Sequence, residues 1–223
     1  MSDEDAPPTP VWEGAYDEDG LPHGQGTMKY PAPVPGEDEE EKPGDTYEGA
    51  FQHGKRCGKG KYTWGVSGAV YEGQYLDNKK QGKGRMTYPD KSVYEGDWVA
   101  DLHEGTGRFV YGNGDLYHGS FKAGKRHGTG TYHYQHEGCQ IVGEWEEGGV
   151  TSGHWVHRDG SMFQGSFKAG LQPHEGVYFF STSHLLQRGS LQPNSTQPGA
   201  PLTWHVASSP IVGELEPCAL TVA

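Results

Sequence analysis

YHGSFKAGKRHGTGTYHY, running from Tyr117 to Tyr134, decides how the chain folds. Tyr117, Gly119 and Phe121 share one parity, and Gly128, Gly130, Tyr132 and Tyr134 share another. Between the two runs lies the polar, Gly124-bearing segment Lys122 to His127. Period-two alternation flanking such a turn reads as a β-hairpin, with rings and glycines on one face. Glycine lets a ring lie flat on the backbone where any Cβ would collide. A lone hairpin is marginal in water, so this one needs copies beside it.

The copies are present on both sides. Trp12, Gly14 and Tyr16 lead to Gly24, Gly26, Met28 and Tyr30, and Tyr47, Gly49 and Phe51 lead to Gly58, Gly60, Tyr62 and Trp64. Tyr71, Gly73 and Tyr75 lead to Gly82, Gly84, Met86 and Tyr88, and Tyr94, Gly96 and Trp98 lead to Gly105, Gly107, Phe109 and Tyr111. A worn copy runs from Ile141, Gly143 and Trp145 to Gly153, Trp155 and His157, and a last one from Phe163, Gly165 and Phe167 to Gly176, Tyr178 and Phe180. The seven opening positions recur at about 23 residues, except where an insertion lengthens the first interval. The fold expected is all-β, a single elongated twisted sheet of tandem hairpins over residues 12–180. At strand spacing it would span roughly 65 Å. Residues 1–11 read as an acidic flexible lead-in, 31–45 as an acidic insertion, and 181–223 as an extended or partly disordered tail.

Composition agrees with thin modules. Only 32% of the 223 residues are hydrophobic, too few for a thick core, while 12% are aromatic, too many for simple disorder. Residues 1–45 hold 13 acids against 2 bases; the remainder is nearly balanced, with 17 acids and 16 bases. No basic stripe invites nucleic acid. Cys57, Cys139 and Cys218 are odd in number and far apart. Without a signal peptide or an apolar run of membrane-spanning length, they suggest an intracellular chain with reduced thiols.

On the solvent face, Glu48, Glu72, Glu95 and Asp97 stand on first strands, and Lys59, Lys61, Lys83, Arg85 and Arg108 on second strands. Opposite charges therefore meet across the ladder, as on a solvated face. The other face carries the glycines expected to be structural: Gly49, Gly60, Gly73, Gly84, Gly96, Gly107, Gly119 and Gly130. The rings Tyr47, Phe51, Tyr71, Tyr75, Tyr94, Trp98, Tyr117, Phe121 and Trp145, with Trp204 of the tail, form the expected partner surface, because one sheet leaves its aromatic face uncovered.

Catalytic readings fail on spacing. His23, His103 and His127 recur with the repeat, so repetition accounts for them. His133, His136 and Cys139 spell H-x-x-H-x-x-C but lack a fourth ligand nearby. Carboxylates are periodic and matched to bases, and each Gly-x-Gly lies in a strand with no helix after it. The expectation is no enzyme, no cofactor and no metal.

The pattern Y-E-G-x-[FYW] … G-x-G-x-[YFM]-x-[YW], seen at Tyr47-Glu48-Gly49, Tyr71-Glu72-Gly73 and Tyr94-Glu95-Gly96, resembles the MORN repeat (membrane occupation and recognition nexus). Copy six departs from it at Ile141 and Thr151. An acidic N-terminus, Asp45 to Gly49 (D-T-Y-E-G) and Gly54 to Gly58 (G-K-R-C-G) are similar to the MORN-repeat radial spoke head proteins of motile cilia. That resemblance implies a structural subunit of the axonemal spoke head in the cytoskeleton of a cilium or flagellum. It would relay signals between the central pair and the dyneins. Its partners would be other spoke head proteins, including a sister MORN protein, in a homo- or hetero-dimer. The alternative is a membrane-associated adaptor binding acidic phospholipids through the turn pairs Lys55-Arg56, Lys79-Lys80 and Lys125-Arg126. Repeats one, four, six and seven lack such a pair, so a membrane is not the first expectation.

Overall fold

The structure is a computed structural model that describes residues 9–34, 40, 42–168, 172–193, 202–207 and 209–212. Residues 1–8, Glu37 to Glu39 and Glu41 of the acidic insertion, and Cys218 lie outside the described residues. Among the described residues every regular element is a strand, as the alternation requires. The chain divides into two units, residues 1–112 and 113–223.

The first unit is an antiparallel meander of four hairpins. They are β1 (Val11–Tyr16) with β2 (Pro22–Lys29), β3 (Thr46–Gln52) with β4 (Lys55–Thr63), β5 (Val70–Leu76) with β6 (Lys79–Thr87), and β7 (Val93–Val99) with β8 (Leu102–Val110). Each hairpin also pairs with the next, so the strands lie in chain order.

The second unit repeats the plan with β9 (Leu116–Lys122), β10 (Lys125–Tyr134), β11 (Cys139–Glu146), β12 (Gly149–Val156), β13 (Met162–Lys168) and β14 (Gln172–Phe180). Beyond the last copy seen in the sequence, β15 (Leu185–Pro193) pairs with β14. The short strands β16 (Leu202–Val206) and β17 (Ile211–Val212) both pair with β15.

Turn chemistry sets the register. Gln52 faces Lys55 across His53 and Gly54, and Leu76 faces Lys79 across Asp77 and Asn78. Both central residues have positive φ, at 46° and 72° in the first turn and 47° and 70° in the second. Ala100-Asp101, Ala123-Gly124 and Glu147-Gly148 do the same. Positive φ at both positions matches the right-handed twist of the flanking strands, the usual two-residue hairpin solution. A register shift then follows in every repeat hairpin, between Gly49 and Ala50 in the second and between Glu144 and Trp145 in the sixth.

The two glycines of each G-x-G serve different ends. The first of the pair sits at the shift with left-handed φ: Gly58 at 60°, Gly82 at 67°, Gly105 at 62° and Gly128 at 59°. The second pairs with the first-strand glycine, Gly49 with Gly60 and Gly73 with Gly84. Over that pair lies the tyrosine ring. A Cβ on Gly49 would stand 2.5 Å from the Tyr47 hydroxyl, and one on Gly60 would collide with the same ring. Tyr71 covers Gly73 and Gly84, Tyr94 covers Gly96 and Gly107, and Tyr117 covers Gly119 and Gly130 in the same way. The worn repeats keep the shift with Thr151 and His174 in the first-glycine place.

Candidate functional site

The aromatic face is the core. Tyr47, Tyr71, Tyr94 and Tyr117 are wholly buried, and Phe51, Tyr75, Trp98, Phe121 and Trp145 are at most 5% exposed. Within the first unit the rings form an edge-to-face chain. Trp12 meets Phe51 at 4.8 Å, Phe51 meets Tyr47 at 5.2 Å, Tyr47 meets Tyr75 at 5.3 Å, and Tyr71 meets Trp98 at 5.3 Å. Such pairs contribute about 0.5–1.5 kcal/mol each beyond their buried area. The tyrosine hydroxyls turn back onto the bulge and donate to a main-chain carbonyl three residues on: Tyr47 to Ala50 at 3.1 Å, Tyr71 to Gln74 at 3.0 Å, Tyr94 to Asp97 at 2.8 Å and Tyr117 to Ser120 at 3.0 Å. Burial raises the phenol pKa of Tyr47, Tyr71 and Tyr94 well above the usual value.

These nine rings were expected to be open to a partner. Four of them, Tyr47, Tyr71, Tyr94 and Tyr117, lie flat on glycine, and the other five pack beside them, so all nine are buried and a partner reaches none without prising the core apart. Trp204 is the exception in degree: half-buried on β16, it sits edge-on to Phe163 at 6.0 Å and over Gly189. The alternation pattern does not reveal that ring-on-glycine pair, because Gly189 and Trp204 are not at repeat spacing.

Cations close the aromatic row. Arg56, opposite Phe51, places its guanidinium 5.7, 5.0 and 5.3 Å from the Tyr47, Tyr62 and Tyr75 ring centres. Lys80 lies over Trp98 at 4.7 Å, and Arg126 over Trp145 at 4.5 Å. Cation–π attraction of this kind is worth about 0.5–2 kcal/mol. Burial pulls the Lys80 pKa below its usual value. In the fourth hairpin His103 takes the same place, stacked on Tyr94 at 3.7 Å with its Nε2 3.0 Å from the Tyr88 hydroxyl. Burial, with Lys80 adding, pulls the His103 pKa down to about 4.

This splits the basic pairs of the turns. Arg56, Lys80 and Arg126 turn inward, leaving Lys55, Lys79 and Lys125 exposed. Lys55 pairs with Asp77 of the next turn at 3.3 Å, and Lys125 with Glu147. A continuous basic ridge for an anionic bilayer is therefore not what the turns build.

Two aspartates with no role legible in the sequence clamp the open ends of their own hairpins. Asp45, just before β3, accepts from the Tyr62 hydroxyl at 2.7 Å and the Gly65 N–H at 3.0 Å. Asp115, just before β9, accepts from the Tyr132 hydroxyl and the Gln135 N–H, both at 2.9 Å. The recurring D-x-Y, Asp45-Thr46-Tyr47 and Asp115-Leu116-Tyr117, was the available signal.

The opposite face of the first unit is the open surface. Registered pairs set Glu48 beside Lys61, Lys61 beside Glu72, Glu72 beside Arg85, Arg85 beside Glu95 and Glu95 beside Arg108. The row alternates in sign at every step, and these side chains are exposed. Lys61 approaches Glu72 at 3.7 Å, and Lys83 approaches Asp97 at 2.7 Å. Partial burial pushes the Asp97 carboxyl up, but the Lys83 bond and the Thr106 N–H outweigh it and hold the pKa below the usual range. Beside the row runs an open trough of about 820 Å³, floored by Gly26, Gly49, Gly60 and Gly73 and walled by Glu48, Lys59, Lys61, Glu72, Gln74 and Lys83. It presents matched charges and amides over bare backbone, which suits recognition of a polar protein surface.

Of the histidines and cysteines weighed for metal, His133 stands one residue before the end of β10, His136 lies in the following turn and Cys139 opens β11; the three do not form a ligand cluster among the described residues.

No curated protein matches the chain. Among solved structures, the TCP domain of Drosophila melanogaster SAS-4, in complex with a proline-rich motif of Ana2, is 11% identical. The likeness covers 92% of this chain and 96% of that one, with a TM-score of 0.42. The TCP10 domain of Danio rerio CPAP, in complex with a STIL peptide, is 10% identical, covering 90% and 100%, with a TM-score of 0.36. The family model of the MORN repeat matches residues 13–32, 47–67, 71–93, 94–116 and 117–135. The worn sixth and seventh copies fall outside those matches although they fold as hairpins. With five MORN repeats, each resting a ring on a glycine pair, the chain is a MORN-repeat protein.

Proposed function

We propose that this chain is a structural subunit of the radial spoke head of motile cilia, helping to transmit regulatory signals between the central pair and the dyneins. MORN repeats form a non-enzymatic family with a scaffold and protein-interaction role. The placement in the spoke head rests on the resemblance of Asp45 to Gly49 and Gly54 to Gly58, two segments whose work in the fold is now visible. Asp45 bonds to the next strand and Gly58 sets the bulge.

The observation that carries the scaffold reading is the outer face of the first unit, where charges alternate over a glycine-floored trough. Such a surface gives specificity and register to a polar contact more than raw affinity. Other spoke head subunits, a sister MORN protein among them, are the partners that this face would meet.

Fractionation of isolated flagella tests the proposal. The chain should stay with the detergent-extracted axoneme and be lost from mutants that lack spokes. Release with the membrane fraction, or retention in axonemes without spokes, removes the spoke head from the account.

A further inference from the structure

The first hairpin lacks the tie that joins the second, third and fifth hairpins to the turns that follow them. In those three, the start of the second strand meets the next turn through an ion pair, an arginine on a carbonyl or a main-chain N–H on a carboxylate. Lys55 meets Asp77, Arg56 donates to the Asn78 carbonyl at 3.1 Å, and the Lys80 N–H meets the Asp101 carboxylate at 2.9 Å. Lys125 meets Glu147, and Arg126 donates to the Gly148 carbonyl. At the first junction Leu21 and Pro22 stand in place of those cations, Pro22 facing Tyr16 as Arg56 faces Phe51, while His53 stands where Asp77 and Glu147 stand. Leucine and proline offer no charge to the next turn. His23 stands one residue further on, facing Ala15 as Cys57 faces Ala50.

The first turn is also longer. Tyr16 faces Pro22 across five residues instead of two, and the extra length brings in a carboxylate. Asp17 uses Oδ1 to accept the N–H groups of Asp19 at 3.1 Å and Leu21 at 2.8 Å. Its Oδ2 is thereby aimed at His53 Nδ1, 2.9 Å away. The His23 and His53 rings lie 5.6 Å apart, and His23 keeps Nδ1 buried without a hydrogen-bond partner. One ligand atom from each of the three side chains lies within 4.8 Å of the others. Ligands of a tetrahedral zinc stand about 3.4 Å apart, a gap that rotation of the exposed His53 ring closes.

We propose that Asp17, His23 and His53 form a binding site for a first-row divalent transition metal, Zn²⁺ in the first place, that fastens the first hairpin to the turn of the second. Two imidazoles and one carboxylate are a borderline donor set that suits zinc better than Ca²⁺ or Mg²⁺, which prefer oxygen alone. The Asp19 and Leu21 N–H groups act as the outer shell that orients the carboxylate. The backbone bond from Gly54 N–H to the Pro22 carbonyl, 3.0 Å, already holds the second turn above β2. Three protein ligands leave a fourth position for water or for a side chain from a partner.

Titration of the untagged full chain with Co²⁺ and Zn²⁺ tests the site. Co²⁺ should give the intense visible band of a tetrahedral site, Zn²⁺ should displace it at one equivalent, and Zn²⁺ should raise the melting temperature reversibly with chelator. Asp17→Asn keeps the Oδ1 acceptor, and His53→Asn suits the left-handed φ of that turn, so both variants retain the fold by tryptophan fluorescence. Each should weaken Co²⁺ binding more than about tenfold, as should His23→Gln, while His136→Asn leaves it unchanged. A chain that shows no tetrahedral band, or whose binding survives the His23→Gln, His53→Asn double variant, overturns the site and leaves an Asp17–His53 ion pair only.

Discussion

Gly58 and Gly60 are two residues apart and fail for different reasons when replaced. Gly58 needs its φ of 60°, yet has open space, since a methyl group on it would lie 3.9 Å from the Ala50 Cβ. Gly60 has an ordinary backbone and no space, because Tyr47 lies on it. Gly58→Ala should therefore cost about 1–2 kcal/mol of left-handed strain, with Gly58→Asn cheaper. Gly60→Ala should cost more, about 2–4 kcal/mol, by expelling a buried ring. Urea midpoints of the two variants check the order. The Gly60→Ala cost should shrink in a Tyr47→Leu background, since residues in contact do not add.

His103 gives the residue scale a pH signature. Its folded pKa of about 4 lies below the ordinary value near 6.5, so the unfolded chain takes up the proton first. Stability is full above that ordinary value and is lost as pH falls towards the folded one. Between pH 7 and 5 the loss should be on the order of 1–2 kcal/mol, and His103→Gln should reduce it in urea titrations at the two pH values. His133, His154 and His157, lowered by burial in the same direction, supply a remainder that this variant leaves in place.

At the scale of the element, a hairpin here is held by a ring on glycine, an aspartate clamp and a cation over the rings. Arg126 touches the Tyr117, Tyr132 and Trp145 rings and donates to the Gly148 carbonyl. Arg126→Met keeps the stem and removes the charge, and should cost about 1–2 kcal/mol. Lys125→Ala, which removes only an exposed pair, should stay within about 0.5 kcal/mol. Thermal unfolding of both variants separates them.

The hairpins and their inward parity were legible because alternation, glycine and turn signals agree from Tyr47 to Tyr134. The fate of the basic pairs was half legible. Neighbouring strand residues face opposite sides, so one of Lys55 and Arg56 had to point inward, but nothing in the sequence tells that it meets three rings. The strands β15 to β17 were illegible as hairpins, since Gly189 and Trp204 have no periodic copy to set them in register. The Asp17, His23 and His53 cluster was hidden for another reason: it joins two turns that lie 36 residues apart from Asp17 to His53, and only strand pairing brings them together.

At the scale of the molecule, the two faces divide the work. The aromatic face is spent on cohesion, which leaves the charged face of the first unit as the part of the array a neighbour can read. That face has lysines on its trough, Lys59, Lys61 and Lys83, all exposed. The measurement that tests the scaffold account most directly is amine cross-linking of intact axonemes followed by mass spectrometry of this chain. The account predicts links from Lys59, Lys61 and Lys83 to other spoke head subunits, with fewer from the turn lysines Lys55, Lys79 and Lys125. Links to partners confined to the turn lysines, with the trough lysines reacting only with free reagent, would contradict it.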